Sequence, residues 1–503
     1  MTKYFLGIDV GTYESKGALI DENCRIIADH AVKHELENPK PNHFEHDAER
    51  VWWGDLCQIS QALIKKAGIK NSEVACVGSS ALGADCLPVD ENCRPLRKAI
   101  LYGIDSRAEK EMAYLANYYG PEKVNQIYGR PLCSSDVAPK ILWIKNNEPG
   151  IYKRTAKFLT STSYLTAKLT GNYVIDKFLI NTFAPAYRLD GSIDEKACSL
   201  FCRPDQLANC RRTTDIVGEV TVKAAEETGL AEGTPVITGT DDSGAEAIST
   251  GIFQPGDMML QIGSSCYLIY CSDRLVLDDR IWHDEFIIPG TFSVSAGTNT
   301  AGTMTRWYRD TLYFDALSQQ EQGGRNAYEA MLDGLDKIPA GSDGLITLPY
   351  FAGERTPIND PNASGVIFGL KLAHTRDHLY KSALEGVGFG ISQLLDIMKE
   401  HQLPLKKIMA VGGGAKNMPW LHIIANITGE TLNCASVTMG AAFGDALMAA
   451  LATGQYHSFA DFNEVIKPGQ VIEPNMKTHL SYQPYRKIFD QLYLETKEMM
   501  HLL

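Results

Sequence analysis

No run of about 18 apolar residues occurs in the chain, so no membrane-spanning helix is expected. No Cys-x-x-Cys occurs among the twelve cysteines. They are scattered, and several, such as Cys76 and Cys266, sit in apolar runs. That is the pattern of reduced, buried thiols in a cytoplasmic protein, not of a disulfide framework. Cys198, Cys202 and Cys210 come nearest to a cluster, but no further ligands accompany them, and structural cysteines are expected. His43 and His46 have a spacing that can chelate metal, yet no helical pattern supports them, and a solvated loop is expected. Positive charge is in deficit, with a net charge of -13. This excludes general nucleic-acid binding, which needs a basic face. It does not exclude a small anion, because backbone amides bind phosphate in acidic proteins too. The opening MTKYFLGIDVG has too short an apolar run for a signal peptide, with an Asp inside it. At 44% hydrophobic and 22% charged the composition is that of an ordinary globular protein, and 503 residues are too many for one core. Two large domains are expected.

The stretch Val236–Gly251, VITGTDDSGAEAISTG, organises the rest. It reads as a short buried strand, a stop at Gly239, two adjacent carboxylates, Asp241 and Asp242, and a helix of small residues from Ser243 to Thr250. A carboxylate at a strand's end and a helix's start overlies the crevice where open α/β sheets place ligands. The helix N-terminus favours its ionised form. Such a group can accept a proton from an attacking hydroxyl. The plainer alternative is an Asp that caps the helix.

Three loops elsewhere have phosphate-binding character. Tyr4–Ile8, Gly17–Ile20 and Arg25–Ala31 read as a β-meander whose first turn holds Asp9, Gly11 and Thr12. Gly11 lets backbone amides approach a phosphate. Thr12, Ser15 and Lys16 add hydrogen bonds and charge, and Asp9 suits Mg²⁺ held through water; the alternative is an ordinary hairpin. Met258–Ile262, Gly263-Ser264-Ser265 and Cys266–Tyr270 repeat the pattern without the carboxylate of Asp9. This repeat implies two related domains facing each other across one nucleotide. The strand Ile408–Val411 leads into Gly412, Gly413, Gly414 and Ala415. Asn417 then caps a helix that ends at Gly429, and Met439–Ala442 opens a small-residue helix that ends at Gly454. Together they offer a flat backbone surface for a purine, or a tight crossover without a ligand.

Between these loops, Glu45–Lys66 has helical spacing. Val74–Gly78 and Ala99–Tyr102 read as strands followed by loops that line a cleft. In the second loop Asp105 and Arg107 either bind sugar hydroxyls or form a local ion pair. A long helix starts at Thr375, where Gly386 and Gly390 suggest close packing of another backbone, and Tyr485–Met499 is an amphipathic helix. Phosphate-binding backbone, a metal carboxylate and an acceptor carboxylate are what phosphoryl transfer requires, since its catalysis is mostly positioning and electrostatics.

At this point the chain, from about residue 4 to 455, resembles the FGGY family of carbohydrate kinases, most nearly its xylulokinase-like members. The resemblance is carried by Asp9-Val10-Gly11-Thr12, Tyr102 with Asp105-Ser106-Arg107, Gly239–Asp242, Gly263-Ser264-Ser265, Gly353-Glu354-Arg355-Thr356-Pro357 and Gly412–Ala415. The segment GVIFGLKLAHTRDHLYKSALE, Gly365–Glu385, matches the family's C-terminal signature throughout. The resemblance implies an α/β fold of two actin-like, ribonuclease-H-like domains flanking an interdomain cleft. Residues 1–245 would form a sugar-binding domain and 246–503 a nucleotide-binding domain. It implies ATP and Mg²⁺ in the cleft, Asp242 as catalytic base and Asp9 at the metal. Gly11, Thr12, Ser15, Lys16, Gly263, Ser264, Ser265, Gly413, Gly414, Ala415 and Asn417 would line the nucleotide site. Leu82, Gly83, Asp85, Tyr102, Asp105, Arg107 and Asp242 would line the sugar site. The chain departs from the xylulokinase pattern: Ser80-Ala81-Leu82-Gly83 replaces Gln-Met-His-Gly, Ser243 follows the base in place of Asn or Gln, and Tyr102-Gly103-Ile104-Asp105 replaces the Trp-Asn-Asp loop. The expected function is ATP-dependent phosphorylation of a terminal hydroxyl of a ketopentose such as xylulose. The alternatives are a kinase for a polyol of the glycerol or erythritol type and a non-catalytic actin-like nucleotide sensor. The expected partners are a sugar and ATP, with no nucleic acid and no membrane; a homodimer is left open.

Overall fold

The computed structural model describes residues 3–128, 130–435, 440–466 and 468–503. Two mixed sheets carry the architecture. In the first, β1 (Tyr4–Val10), β2 (Glu14–Asp21) and β3 (Ile26–Lys33) form an antiparallel meander, and β4 (Val74–Ala81) lies parallel to β1 on its other side. β5 (Ile216–Glu219) and β6 (Pro235–Ile237) complete the order β5-β6-β4-β1-β2-β3, and β7 (Thr240–Asp241) pairs with the end of β4. The second sheet contains β8 (Asp257–Ile262), β9 (Cys266–Ser272), β10 (Trp282–Glu285), β11 (Phe292–Thr298), β12 (Lys407–Val411), β13 (Leu432–Ala435) and β14 (Pro468–Ile472), in the order β10-β11-β9-β8-β12-β13-β14. Here too the first strand is central, with an antiparallel hairpin on one side and a parallel strand on the other. The weak repeat in the sequence is thus a repeat of topology.

The helices that position the site are α1 (Gly54–Ala67), α2 (Asp242–Ser249), α3 (Gly302–Leu312), α4 (Arg376–Glu400), α5 (Met418–Thr428) and α6 (Ala441–Ala452). Each half has its own apolar core. A third core lies between them: Phe5, Ile20, Cys76 and Ile237 from the first sheet face Met259, Ile269 and Met409 from the second. Ala245, Ile248, Phe443, Ala446 and Leu447 of α2 and α6 fill the space between. The division expected between residues 245 and 246 falls inside α2, and residues 250–256 connect the two sheets.

At the seam, backbones touch. A Cβ on Gly7 of β1 would overlap the Ala442 carbonyl oxygen, and one on Gly444 would overlap that of Ala245. A Cβ on Gly78 of β4 would lie 2.5 Å from the Asp445 carbonyl oxygen. α6 therefore lies directly across β1 and β4 on one side and against α2 on the other.

Several elements differ from the sequence reading. His43–His46 form a strand that pairs with Ala99–Ile100, and Ala48–Trp53 form a wide helical turn, so α1 begins only at Gly54. Asp47 starts this run by accepting the Arg50 amide at 3.0 Å, which competes with an earlier helix start. His46 is buried and accepts from Trp52 Nε1 at 3.1 Å, so it lies in no solvated loop. The last helix runs over Met476–Met500, started by an Asn475 cap and continuing through Pro484. Gly386 meets the Thr347 carbonyl as expected, but Gly390 has nothing closer than Thr298 Cγ2 at 3.9 Å. Met439, expected to open α6, lies outside the described residues.

Gly444→Ala should lower stability by about 1–3 kcal/mol, the usual cost of overpacking. Gly413→Ala, where an added Cβ meets nothing within 4 Å, should change it by less than about 0.5 kcal/mol. Denaturant unfolding of the two variants checks the contrast.

Candidate active site

β1 and β4 both deliver side chains to the point where α2 begins. Asp9 is the cross-strand neighbour of Lys16 on one side and Ser80 on the other. Ser80 Oγ lies 3.2 Å from Asp9 Oδ1 and 2.7 Å from Oδ2 of Asp445, which projects from α6. β7 extends the sheet by the two residues that bring Asp241 and Asp242 to the same level.

The two aspartates divide the work. Asp241 is the helix cap: its Oδ1 accepts the Gly244 amide at 2.7 Å and its Oδ2 accepts the Ser243 hydroxyl at 2.9 Å. Asp242 is the first helical residue and has no such role. Glu246 stands one turn further on the same face of α2. Its Oε2 accepts from Gln261 Nε2 at 2.6 Å. Gln261 stands two residues before Gly263, as Asp9 stands two before Gly11, so the second hairpin presents an amide where the first presents a carboxylate.

These carboxyls crowd one another. Burial, then the charges of Asp241, Asp9 and Glu246, push Asp242 well above its ordinary range. The sequence reading expected the helix terminus to keep Asp242 at or below that range, and this is corrected: burial and like charge outweigh the dipole. Burial raises Asp9 to about 7 against the Ser80 hydrogen bond, with Glu246 and Asp241 adding to the rise and Lys16 opposing it. Burial also raises Glu246, opposed by Lys16 and Gln261.

The first hairpin turn is braced from behind. Asp55 Oδ2 of α1 accepts the Ser15 hydroxyl at 2.7 Å and lies 2.8 Å from His34 Nδ1, while His34 Nε2 lies 3.1 Å from the Gly11 carbonyl. Ser15 is fully buried in this brace, and its hydroxyl is given to Asp55 and not left for the phosphate expected of it. Thr12 Oγ1 hydrogen-bonds Tyr102 OH at 3.0 Å, and Lys16 is half exposed. In the second hairpin, Ser264 and Gly263 carbonyls accept the Ala301, Gly302 and Thr303 amides, which locks the turn to the start of α3. Ser264 is exposed and Ser265 half-buried. The Gly412–Ala415 turn sits on the end of β8: Gly412 has φ +88, and a Cβ on it would lie 2.7 Å from the Ile262 carbonyl. Gly413 faces open space. Asn417 caps α5 by accepting the Trp420 amide at 3.1 Å, so its carbonyl is occupied.

On the sugar side the candidates separate. Gly83 faces Asp241, whose Oδ2 would be 3.1 Å from an added Cβ. Asp85 is fully buried, and neither of its oxygens reaches a partner with hydrogen-bond geometry. Burial pushes it up to about 7, with Lys140 the main opposing charge. Tyr102 stands between: burial raises it, opposed by Thr12 and reinforced by the charges of Asp242 and Asp85. Leu82 packs in the core of the first half, and its amide donates to the Val10 carbonyl, so it brings no polar group to this space. Asp105 and Arg107 are the internal ion pair that was the alternative. Arg107 binds both Asp105 oxygens and Glu45 Oε1 (2.7 Å), and Asp105 also accepts the Phe44 amide. Their side chains are 0–1% exposed and paired with each other, so they brace the loop.

These geometries define a strand-end site with two hairpins, a glycine turn and an acidic centre. Models of the FGGY family of carbohydrate kinases match both halves: the N-terminal domain over residues 4–249 and the C-terminal domain over 258–453. The chain belongs to the FGGY family. It is 25% identical to xylulose kinase of Bacillus subtilis (strain 168), over 99% of this chain and 98% of that one. It is 24% identical to gluconokinase of Bacillus licheniformis, over 98% and 96%. Its fold superimposes on the crystal structure of xylulose kinase from Rhodospirillum rubrum with a TM-score of 0.91 at 25% identity, covering 99% of this chain and all of that one. This FGGY protein is therefore a sugar kinase, and ATP and a sugar are its substrates. Among the described residues no helix is long and apolar enough to cross a membrane.

Sequence reasoning missed Glu246, Ser80 and Asp445. Glu246 was legible, four residues after Asp242 on one helix. Asp445 was legible as a lone charge in an otherwise small and apolar helix. Ser80 was not, because its role depends on strand register. A cavity of about 990 Å³ on the first half, lined by Trp53, Lys168 and Glu227 among others, includes none of the site candidates.

The crowding makes a prediction. An unfolded Asp titrates near 3.8, and Asp242 in the folded protein titrates higher. The folded state thus holds an extra proton across that interval, and stability falls as pH rises through it. Asp242→Asn should raise the melting temperature of the ligand-free protein at pH 8 and raise it less at pH 5. Thermal unfolding at the two pH values reads the difference.

Proposed function

We propose that this kinase phosphorylates a terminal hydroxyl of a ketopentose such as xylulose, with Asp242 as general base and Mg-ATP bound between the halves. The observation that carries the reading is Asp242: a carboxylate free of capping duty, among other carboxyls, at a helix start. The first half holds the sugar against Gly83, Asp85 and Tyr102. Gly11, Thr12, Lys16, Gly263, Ser264 and Ser265 cradle the phosphates, and Gly413, Gly414 and Ala415 take the adenosine. The Thr12–Tyr102 hydrogen bond ties the phosphate turn to the sugar loop, so the two substrates are aligned by one contact.

The donor set fits Mg²⁺. All candidate donors are hard oxygens, and the mutual repulsion of Asp9, Asp241, Asp242 and Glu246 favours a cation. Among the described residues no three such groups are close enough to chelate a metal directly. Mg²⁺ is bound in this way in kinases, through one or two carboxylates, waters and substrate phosphates. Asp9 would hold it, and bound there it would neutralise charge on the transferring phosphoryl group. It would also favour the ionised form of Asp242, which must be deprotonated to accept the hydroxyl proton. Closure of the halves excludes water, which would otherwise compete for the phosphoryl group.

The gluconokinase relative is nearly as similar as the xylulose kinase, so gluconate belongs in the test beside the pentuloses. Sugar-dependent ADP formation should be measured with pentuloses, gluconate, glycerol and erythritol. A ketopentose should give the highest kcat/KM; a preference for gluconate or a polyol would replace the substrate assignment. Asp242→Ala should lower kcat by about 100- to 10,000-fold, the usual contribution of a general base, with a smaller change in sugar KM. Turnover that survives the substitution removes Asp242 from that role.

The pH profile is a separate check. The base works ionised, and its folded value lies above 3.8. Activity should therefore fall on the acid side at a pH above the ordinary aspartate range, and the fall should move to lower pH as Mg²⁺ is raised. An acid limb independent of Mg²⁺ would argue against a base beside the metal.

A further inference from the structure

Asp445 is the sole ionisable residue of α6, AAFGDALMAALA. Helix packing gives no reason for it: the neighbours are Ala, Gly, Phe, Leu and Met, and a buried carboxyl costs free energy unless its interactions compensate. Asp445 is fully buried, as is Ser80. Its Oδ2 is 2.7 Å from Ser80 Oγ, and its Oδ1 has no hydrogen-bond partner among the described residues. The same Ser80 Oγ is 3.2 Å from Asp9 Oδ1. Ser80 Oγ is shared between the two carboxyls, and the shorter contact, to Asp445, fixes the rotamer from which Ser80 meets Asp9.

The three residues come from β1, β4 and α6. The first two belong to the first half and the third to the second. α6 reaches this position because Gly7, Gly78 and Gly444 let its backbone lie directly on the neighbouring backbones.

We propose that Asp445 is a positioning residue: acting through Ser80, it fixes the orientation of Asp9 at the metal site and makes that orientation conditional on α6 being seated across β1 and β4. The inference rests on the reading of Asp9 as the carboxylate that holds Mg²⁺.

The test is Mn²⁺ binding to the full-length protein in the presence of ADP, followed by electron paramagnetic resonance. Ser80→Ala and Asp445→Ala should each weaken Mn²⁺ binding about tenfold, as loss of a partner behind a metal ligand does. The double variant should be no weaker than either single one, because the two residues act in series. Asp445→Asn should stay within about threefold of the parent, since its amide oxygen accepts the same hydrogen bond without the charge. Unchanged binding in Asp445→Ala, additive losses in the double variant, or Asp445→Asn as weak as Asp445→Ala would each overturn the proposal; the last would mark a charge effect. Ala is already the commonest residue of α6, so Asp445→Ala should fold, and thermal unfolding checks this. Should it fail to fold, Ser80→Ala and Asp445→Asn still decide. Asp9→Asn separates the two layers. If it leaves Mn²⁺ binding unchanged, the metal reading falls and this inference with it. If it weakens binding while Asp445→Ala does not, only the positioning role falls.

Discussion

The structure depends on one contact: α6 laid backbone to backbone on β1, β4 and α2 at three glycines. Gly7, Gly78 and Gly444 make this possible, and in each case the added methyl of an alanine would meet a main-chain oxygen. Ordinary side chains would hold packed helices 8–10 Å apart at their axes. Removing them lets an element of the second half enter the sheet of the first. The central apolar core then closes around both, and the ends of β1, β4, β7 and α2 meet at one place. Asp9, Asp241, Asp242 and Glu246 already converge through the first sheet and α2, and the seam adds Asp445 of the second half behind them.

Crowding follows from convergence. A helix N-terminus stabilises a carboxylate by about 0.3–1 kcal/mol, and one pKa unit is about 1.4 kcal/mol. The dipole can therefore offset less than one unit. At Asp242 it offsets less still, because Asp241 already takes the Gly244 amide. Burial and three neighbouring carboxyls act the other way and prevail. The ligand-free site is thus held away from its own electrostatic optimum. A cation and a triphosphate would compensate one another there, which is a physical reason for the proposed nucleotide and metal to bind together.

The fold was largely legible because it rests on local signals. The alternation of strands with Gly and hydroxyl turns near Asp9 and again near Gly263 announced the duplicated sheet. Glycine stops and the Asn417 cap marked α5 to within a residue. What escaped depended on contacts far apart in sequence. The strand at His43–His46 exists because Ala99–Ile100 offers it an edge, and no local pattern carries that. The same holds at the site. Asp242 stood out from its position between strand and helix, whereas its raised proton affinity depends first on burial, then on Asp241 beside it and on Asp9, 233 positions earlier. Ser15 looked like a phosphate ligand because it follows a glycine turn. Strand alternation turns it to the opposite face, where Asp55 waits.

Asp105 and Arg107 show why the sugar is harder to read than the chemistry. Both are types that bind hydroxyls, and both lie in a loop after a strand. Yet Arg107 is tied to two carboxylates, and Asp105 to a guanidinium and two main-chain amides, so both are committed to the loop itself. Asp85 is the reverse case: buried, beside Tyr102, and with both oxygens short of a partner. An unmet buried polar group costs about 1–3 kcal/mol. A ligand hydroxyl that reached Asp85 would recover that free energy, and an analogue lacking the hydroxyl would not. On that argument Asp85, its burial opposed only by Lys140, Ser161 and the Tyr102 amide, is a better place than the committed ion pair to propose for reading a substrate hydroxyl.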